Sequence, residues 1–260
     1  MNLFKIINSR LIMSYLENFF TTIIHLNIYL IIVIGIVYIL IHQNRHKGIN
    51  QFLDVYLNYI PVLTHEFGHV LFNRLAGGRA KDLVIVTSPT ERQTTLQQGY
   101  AITQSKSYLG QFITTIGGYL MPPVMFLIGL VAAHYEHPSI FLIVYLVIFI
   151  YFLILTSRKL SPIIVIFLIS ILLYFIVQHD HLMMMYDIVS LSYHLILGIL
   201  LGEIIQSSWT IFNLTFQRPK PSWDGSALTD ITKVPTIIYS TIWIAFNLYT
   251  IYLLIKYTIL

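Results

Sequence analysis

The chain has 260 residues, of which 57% are hydrophobic and 10% charged, far below the roughly 25% charged share of a soluble domain. With a mean hydropathy of +0.76 and apolar runs near the roughly 20 residues a lipid-crossing helix needs, this composition excludes a water-soluble fold and predicts an all-α polytopic membrane protein. The absence of cysteine excludes thiol nucleophiles, disulfides and thiolate metal ligands, and the net charge of +4 reads as a map of loops, with no nucleic-acid partner.

Residues 1–19, with Lys5, Arg10 and Glu17 among Leu, Ile and Phe, lack a small-residue cleavage site and read as a retained interfacial helix. Apolar runs bounded by charge, Gly or Pro then give about seven spans, at 20–41, 60–76, 108–133, 139–156, 161–177, 188–212 and 235–255. Alternating these across a bilayer puts twelve Lys and Arg on one side, from Lys5 and Arg10 through the 74–106 loop to Lys233. Three, Arg45, Lys47 and Lys256, fall on the other. That division predicts a cytoplasmic amino terminus and an external carboxyl terminus.

Between the second and third spans, Leu83–Thr87 and Gly99–Thr103 are two β-rich runs separated by the polar stretch Ser88–Gln98. They predict a small membrane-associated β-hairpin on the cytoplasmic side, with a strand edge that either takes up an unwound substrate segment or only plugs the cytoplasmic mouth of the site. Gln217–Gly225 is broken by Pro219, Pro221 and Gly225 and is not helical throughout. No repeat, low-complexity tract or soluble domain interrupts the chain, which reads as a single integral membrane domain over 1–260.

Within the second span stands His65-Glu66-Phe67-Gly68-His69. Helical positions i and i+4 share a face, so both imidazoles can bind one Zn²⁺. Glu66, about 100° round from His65, is left to handle a proton on the water that the metal activates. With ten His and five Glu in the chain, chance gives roughly 0.007 such patterns. Three ionisable groups at bilayer depth, each costing about 2.5 kcal/mol or more when unpaired, also demand a reason. A catalytic zinc usually takes a third protein ligand, and none follows at +4 to +10 on the same helix. Asp224, in Trp223-Asp224-Gly225, is the first candidate, with Gly225 allowing a sharp turn; Asp230 is its rival.

These residues, with Leu75-Ala76-Gly77-Gly78-Arg79, Gly117-Gly118-Tyr119, Pro122, Pro123, Leu228 and Thr232-Lys233-Val234-Pro235, resemble the site-2-protease family of intramembrane zinc metalloproteases, in its compact bacterial branch. The resemblance covers about 60–245, the catalytic core. Trp223 stands where many members carry Leu, and Asn213 lies eleven residues before Asp224. The resemblance implies one Zn²⁺ per chain held by His65, His69 and Asp224, with Glu66 as general base. It also implies substrates among single-span membrane proteins, and a filtering or regulatory function left to a membrane partner. The competing class is a non-hydrolytic membrane protein that keeps the fold, a metal transporter or scaffold.

Weaker signals are read more plainly. Glu203, Gln206, Ser207, Thr210 and Asn213 form a polar stripe on the sixth span that either lines a path or bonds neighbouring helices. Gly117-Gly118 permits close packing beside the histidine helix. His25, Asp187 and His194 are assigned no site role, and His134, His137, His179 and His181 read as solvated.

Overall fold

The computed structural model describes residues 13–178 and 182–259. Residues 1–12 of the interfacial segment, and His179 and His181, lie outside them; residues 13–21 are helical. The chain then forms α1 (Ile28–Gln43), α2 (Asn50–Leu57), α3 (Tyr59–Leu75), β1 (Arg79–Ile85), α4 (Pro89–Thr95), β2 (Gly99–Gln104) and α5 (Tyr108–His134). It continues with α6 (Pro138–Leu155), α7 (Leu160–Gln178), α8 (Leu182–Phe216), α9 (Asp224–Thr232) and α10 (Thr236–Ile259). Among the described residues four helical stretches are long and apolar enough to cross a membrane, at Tyr108–His134, Pro138–Leu155, Tyr186–Phe216 and Thr236–Thr258.

The predicted hairpin is present: β1 and β2 pair antiparallel, with Leu83 opposite Ala101 and Ile85 opposite Gly99. It begins four residues earlier than its β-rich core, at Arg79, and its polar connection is not a simple turn. Ser88 accepts the Glu91 N–H and Pro89 opens a helix at the position where its missing N–H is harmless, so α4 forms there.

Two helix pairs approach closely because glycine faces backbone or bulky side chains. A Cβ on Gly68 would lie 2.4 Å from the Gly117 carbonyl oxygen, and one on Gly198 would lie 2.5 Å from Ile34 Cβ. The first contact locks α3 to α5 and the second locks α1 to α8, the small-residue packing by which helices associate in lipid. Met125, Phe126, Leu130, Phe141, Tyr193 and Leu197 fill the space between α5, α6 and α8 with no exposed surface. Outward-facing Ile32, Val33, Ile36, Val147, Ile154 and Ile242 are exposed, as lipid requires.

The charge division needs correction. Arg45 and Arg92, assigned to opposite sides, line one small cavity together with Asp54 of α2. Asp54 also pairs with the Arg92 guanidinium at 3.3 Å. The α1–α2 connection and the hairpin tip therefore share one side. Counting every apolar run as a full crossing is what fails: α1 has 16 residues and α3 has 17, about 24 to 26 Å of helix against about 30 Å of hydrocarbon.

Candidate metal centre

His65 and His69 lie on one face of α3, as their spacing dictates, and α9 brings Asp224 to them. The His65 Nε2 to His69 Nε2 distance is 3.3 Å. Asp224 Oδ2 stands 3.5 Å from the first and 3.4 Å from the second. Bonds of about 2.0 to 2.2 Å in tetrahedral geometry give ligand-to-ligand edges of about 3.3 to 3.6 Å. The donor triangle therefore has the dimensions, and the N₂O chemistry, of three corners of a zinc tetrahedron. Among the described residues these three are the group that could hold a metal ion.

The surroundings set each ligand. His69 Nδ1 donates to the Thr114 carbonyl at 2.9 Å, which fixes the tautomer and leaves the Nε2 lone pair facing the triangle. That carbonyl is within reach because α5 packs so close to α3. The next turn of α5 supplies Gly118, where a Cβ would lie 2.5 Å from His69 Nε2 and 2.7 Å from His65 Nε2. The expectation for Gly117-Gly118 thus holds and sharpens: Gly117 admits the helix and Gly118 makes room for the imidazoles. Tyr119 packs edge-on against His65, with ring centroids 4.8 Å apart.

Asp224 is the first residue of α9. Ser226 Oγ accepts the Trp223 N–H at 2.9 Å and secures that end. Leu228, one turn on, is fully buried against a cluster that includes Ile211, Tyr239 and Trp243; truncating it to Ala would cost about 2 to 5 kcal/mol. Gly225 serves differently from expectation. Its φ is not positive, and what requires glycine is the Trp223 indole, 2.5 Å from where a Cβ would sit. The rival Asp230 is exposed on α9 and stands outside the site.

Glu66 and His65 line a cavity of about 350 Å³ together with Asp224, Tyr119 and Gly99 of β2. The Ala101 amide, on the same strand, lies beside the Glu66 carboxylate. Of the polar stripe on α8, Glu203, Gln206, Ser207 and Thr210 line this cavity, while Asn213 is exposed and does not. The stripe also bonds helices: Asn247 Nδ2 donates to Ser208 Oγ at 2.9 Å and lies 3.4 Å from Ser207 Oγ.

Sequence reasoning missed a buried polar network on the far wall. The Tyr38 hydroxyl donates to Glu203 at 2.5 Å and lies 2.9 Å from Asn58 Oδ1. Asn58 donates to Gln98 at the hairpin tip. His42 Nδ1 donates to Asp54 at 2.7 Å. Each pair is 12 or more residues apart in sequence, so no local pattern announces it. His194 is structural as expected, accepting the Asn27 N–H at 2.9 Å.

The family model of Peptidase M50B-like proteins matches residues 18–254. Neither a curated protein nor a solved structure matches the chain. The match spans nearly the whole chain, which therefore belongs to the Peptidase M50B-like family, the site-2-protease family of membrane metalloproteases.

Proposed function

We propose that this member of the M50B-like family is an intramembrane zinc endopeptidase that hydrolyses peptide bonds of membrane-embedded, single-span substrates. The observation that carries the reading is the convergence of His65, His69 and Asp224 on one point, with Glu66 beside it in the wall of a polar cavity. Zinc bound there would supply the Lewis acid that polarises the scissile carbonyl and acidifies the attacking water. Glu66 would take a proton from that water as its oxygen adds to the carbonyl carbon. It would then return the proton to the leaving amine nitrogen as the C–N bond breaks.

A helical substrate has no free backbone groups and must unwind to present a carbonyl. The outer edge of β2, with the Ala101 amide beside Glu66, is suited to hold the extended segment as an added strand. Beyond the four long helices, α1, α3 and α7 serve in this reading as further membrane-embedded segments, α1 and α3 being shorter than a full crossing. α3 is enclosed by protein, while α1 and α7 present Ile36, Leu40, Phe167 and Leu168 outward.

The test is the purified full chain against a generic transmembrane substrate, wild type beside Glu66→Gln, with zinc content measured in both. The expected result is zinc retained and cleavage reduced by about 10²- to 10⁴-fold in the variant. Cleavage at the wild-type rate would overturn the mechanism. Zinc bound without cleavage of any substrate by the wild type would favour a metal-binding scaffold.

A further inference from the structure

The mechanism above uses two of the three carboxylates that line the cavity and leaves Glu203 without a task. Glu203 sits on α8, in a wall that the histidine helix does not supply, and one of its oxygens accepts the Tyr38 hydroxyl. The carboxylate is half-buried, with a face open to the cavity. A carboxylate can accept about four hydrogen bonds, so a single hydroxyl leaves most of that capacity unused.

The lining is also unbalanced in charge. Glu66, Glu203 and Asp224 face His42 and His65, and the lining contains no Lys or Arg among the described residues, in a chain with fifteen of them. His42 is already committed to Asp54, and His65 and Asp224 to the metal centre. A Zn²⁺ at the metal centre would offset two of these negative charges, those of Glu66 and Asp224, and leave Glu203, a carboxylate that at bilayer depth is stable when it meets a cation. Asn58, Gln98, Gln206 and Ser207 around it add hydrogen-bonding groups of the kind that surround a bound polar chain.

We propose that Glu203, with Gln206 beside it in the cavity wall and the buried Tyr38 behind it, forms a subsite for a cationic group of the substrate held next to the scissile bond. This deepens the peptidase reading and rests on it for the identity of the substrate. The cation is a Lys or Arg side chain or a free amino terminus, which share the same chemistry. The Tyr38 hydroxyl donates to one oxygen of this carboxylate from the protein side of the wall.

The test uses equilibrium binding, so that it does not depend on turnover. Fluorescent apolar peptides that differ only in Lys, norleucine or Glu at one position, each with a free or an acetylated amino terminus, are titrated into the full-length zinc-loaded protein in detergent micelles. The expected result is binding about tenfold tighter for Lys than for norleucine, with Glu weakest, in line with a hydrogen bond to a charged group. In Glu203→Gln the Lys-to-norleucine ratio should fall to about one. A preference carried by the free amino terminus alone would assign the subsite to that source. Equal binding of the Lys and norleucine peptides to the wild type overturns the proposal even if no variant folds, and so does a preference that survives Glu203→Gln. The same peptides scored for cleavage separate the two readings: cleavage without preference removes the subsite only, and preference without cleavage removes the peptidase only.

Discussion

Two neighbouring regions of this molecule bury ionisable groups, and they do so in opposite ways. Around α1, α2 and the hairpin tip the charges are matched by partners: His42 with Asp54, and Asp54 with Arg92. At the junction of α3, α5 and α9 the groups point instead at a common spot. Two imidazole nitrogens and a carboxylate oxygen stand 3.3 to 3.5 Å apart around it. The first arrangement neutralises charge within the protein and holds elements together. The second, three lone-pair donors facing one another, is satisfied only by a cation. Convergence, rather than burial or charge, distinguishes a site from a strut.

Breaking the convergent region without touching a ligand should have the largest effect. Gly118→Ala puts a methyl group 2.5 Å from His69 Nε2, so an imidazole must swing away from the triangle. Zinc affinity, read by competition with a chelator, should fall by at least about 10- to 100-fold, the range seen when support of a ligand is lost, and cleavage should fall with it. Unchanged zinc affinity in a folded variant would mean that the three donors do not act together.

Breaking the matched region should leave zinc alone and cost stability. The Asp54 and Arg92 side chains are only 5% and 9% exposed, so Asp54→Asn leaves a guanidinium buried without its counter-charge, at a cost of about 3 to 5 kcal/mol. Combining it with Arg92→Met should cost less than the sum of the single changes, because the second removes the orphan that the first creates. Thermal unfolding of the three variants in detergent measures the coupling, and zinc affinity of each is the control. Additive losses would show that the pair is not the strut described here.

The two regions were also unequally legible in the sequence. The candidate metal centre was the more legible, because helical periodicity sets the relative placement of His65, Glu66 and His69. Asp224 followed from the need for a third ligand and from the family resemblance. The reason for Gly225 was missed, since its contact with Trp223 depends on how α9 begins. α4 was readable and was overlooked: Ser88-Pro89-Thr90-Glu91 carries an N-cap, a proline at the first position and an acidic residue at the third. The matched region was hidden because its partners are joined only through tertiary contacts, Asp54 and Arg92 being 38 residues apart. That same contact structure undid the charge count, which treats each apolar run as a crossing and cannot see α2 bring Asp54 to Arg92 of the hairpin tip.

The smallest expected effect belongs to a matched pair at the surface, Glu91 of α4 with Arg158 of the α6–α7 connection. Both guanidinium nitrogens reach the carboxylate, each at 2.7 Å, and the hydrogen bonds from Arg158 hold the Glu91 carboxyl below its usual range. A carboxyl lowered on folding adds stability that is present above its unfolded pKa, about 4.3, and is lost as the pH falls through the folded value. The apparent Tm of wild type should therefore exceed that of Glu91→Gln at pH 7, and the gap should close as the pH drops below about 4. Metal-free protein serves for both, so that loss of zinc in acid does not enter the comparison. The pair is partly exposed, which limits its contribution to less than about 1 kcal/mol, and 1 M salt, with a screening length of about 3 Å, should shrink the gap at pH 7 as well. A gap that persists at pH 3 would mean that Glu91 acts through packing, rather than as the charge that ties the hairpin connection to α6.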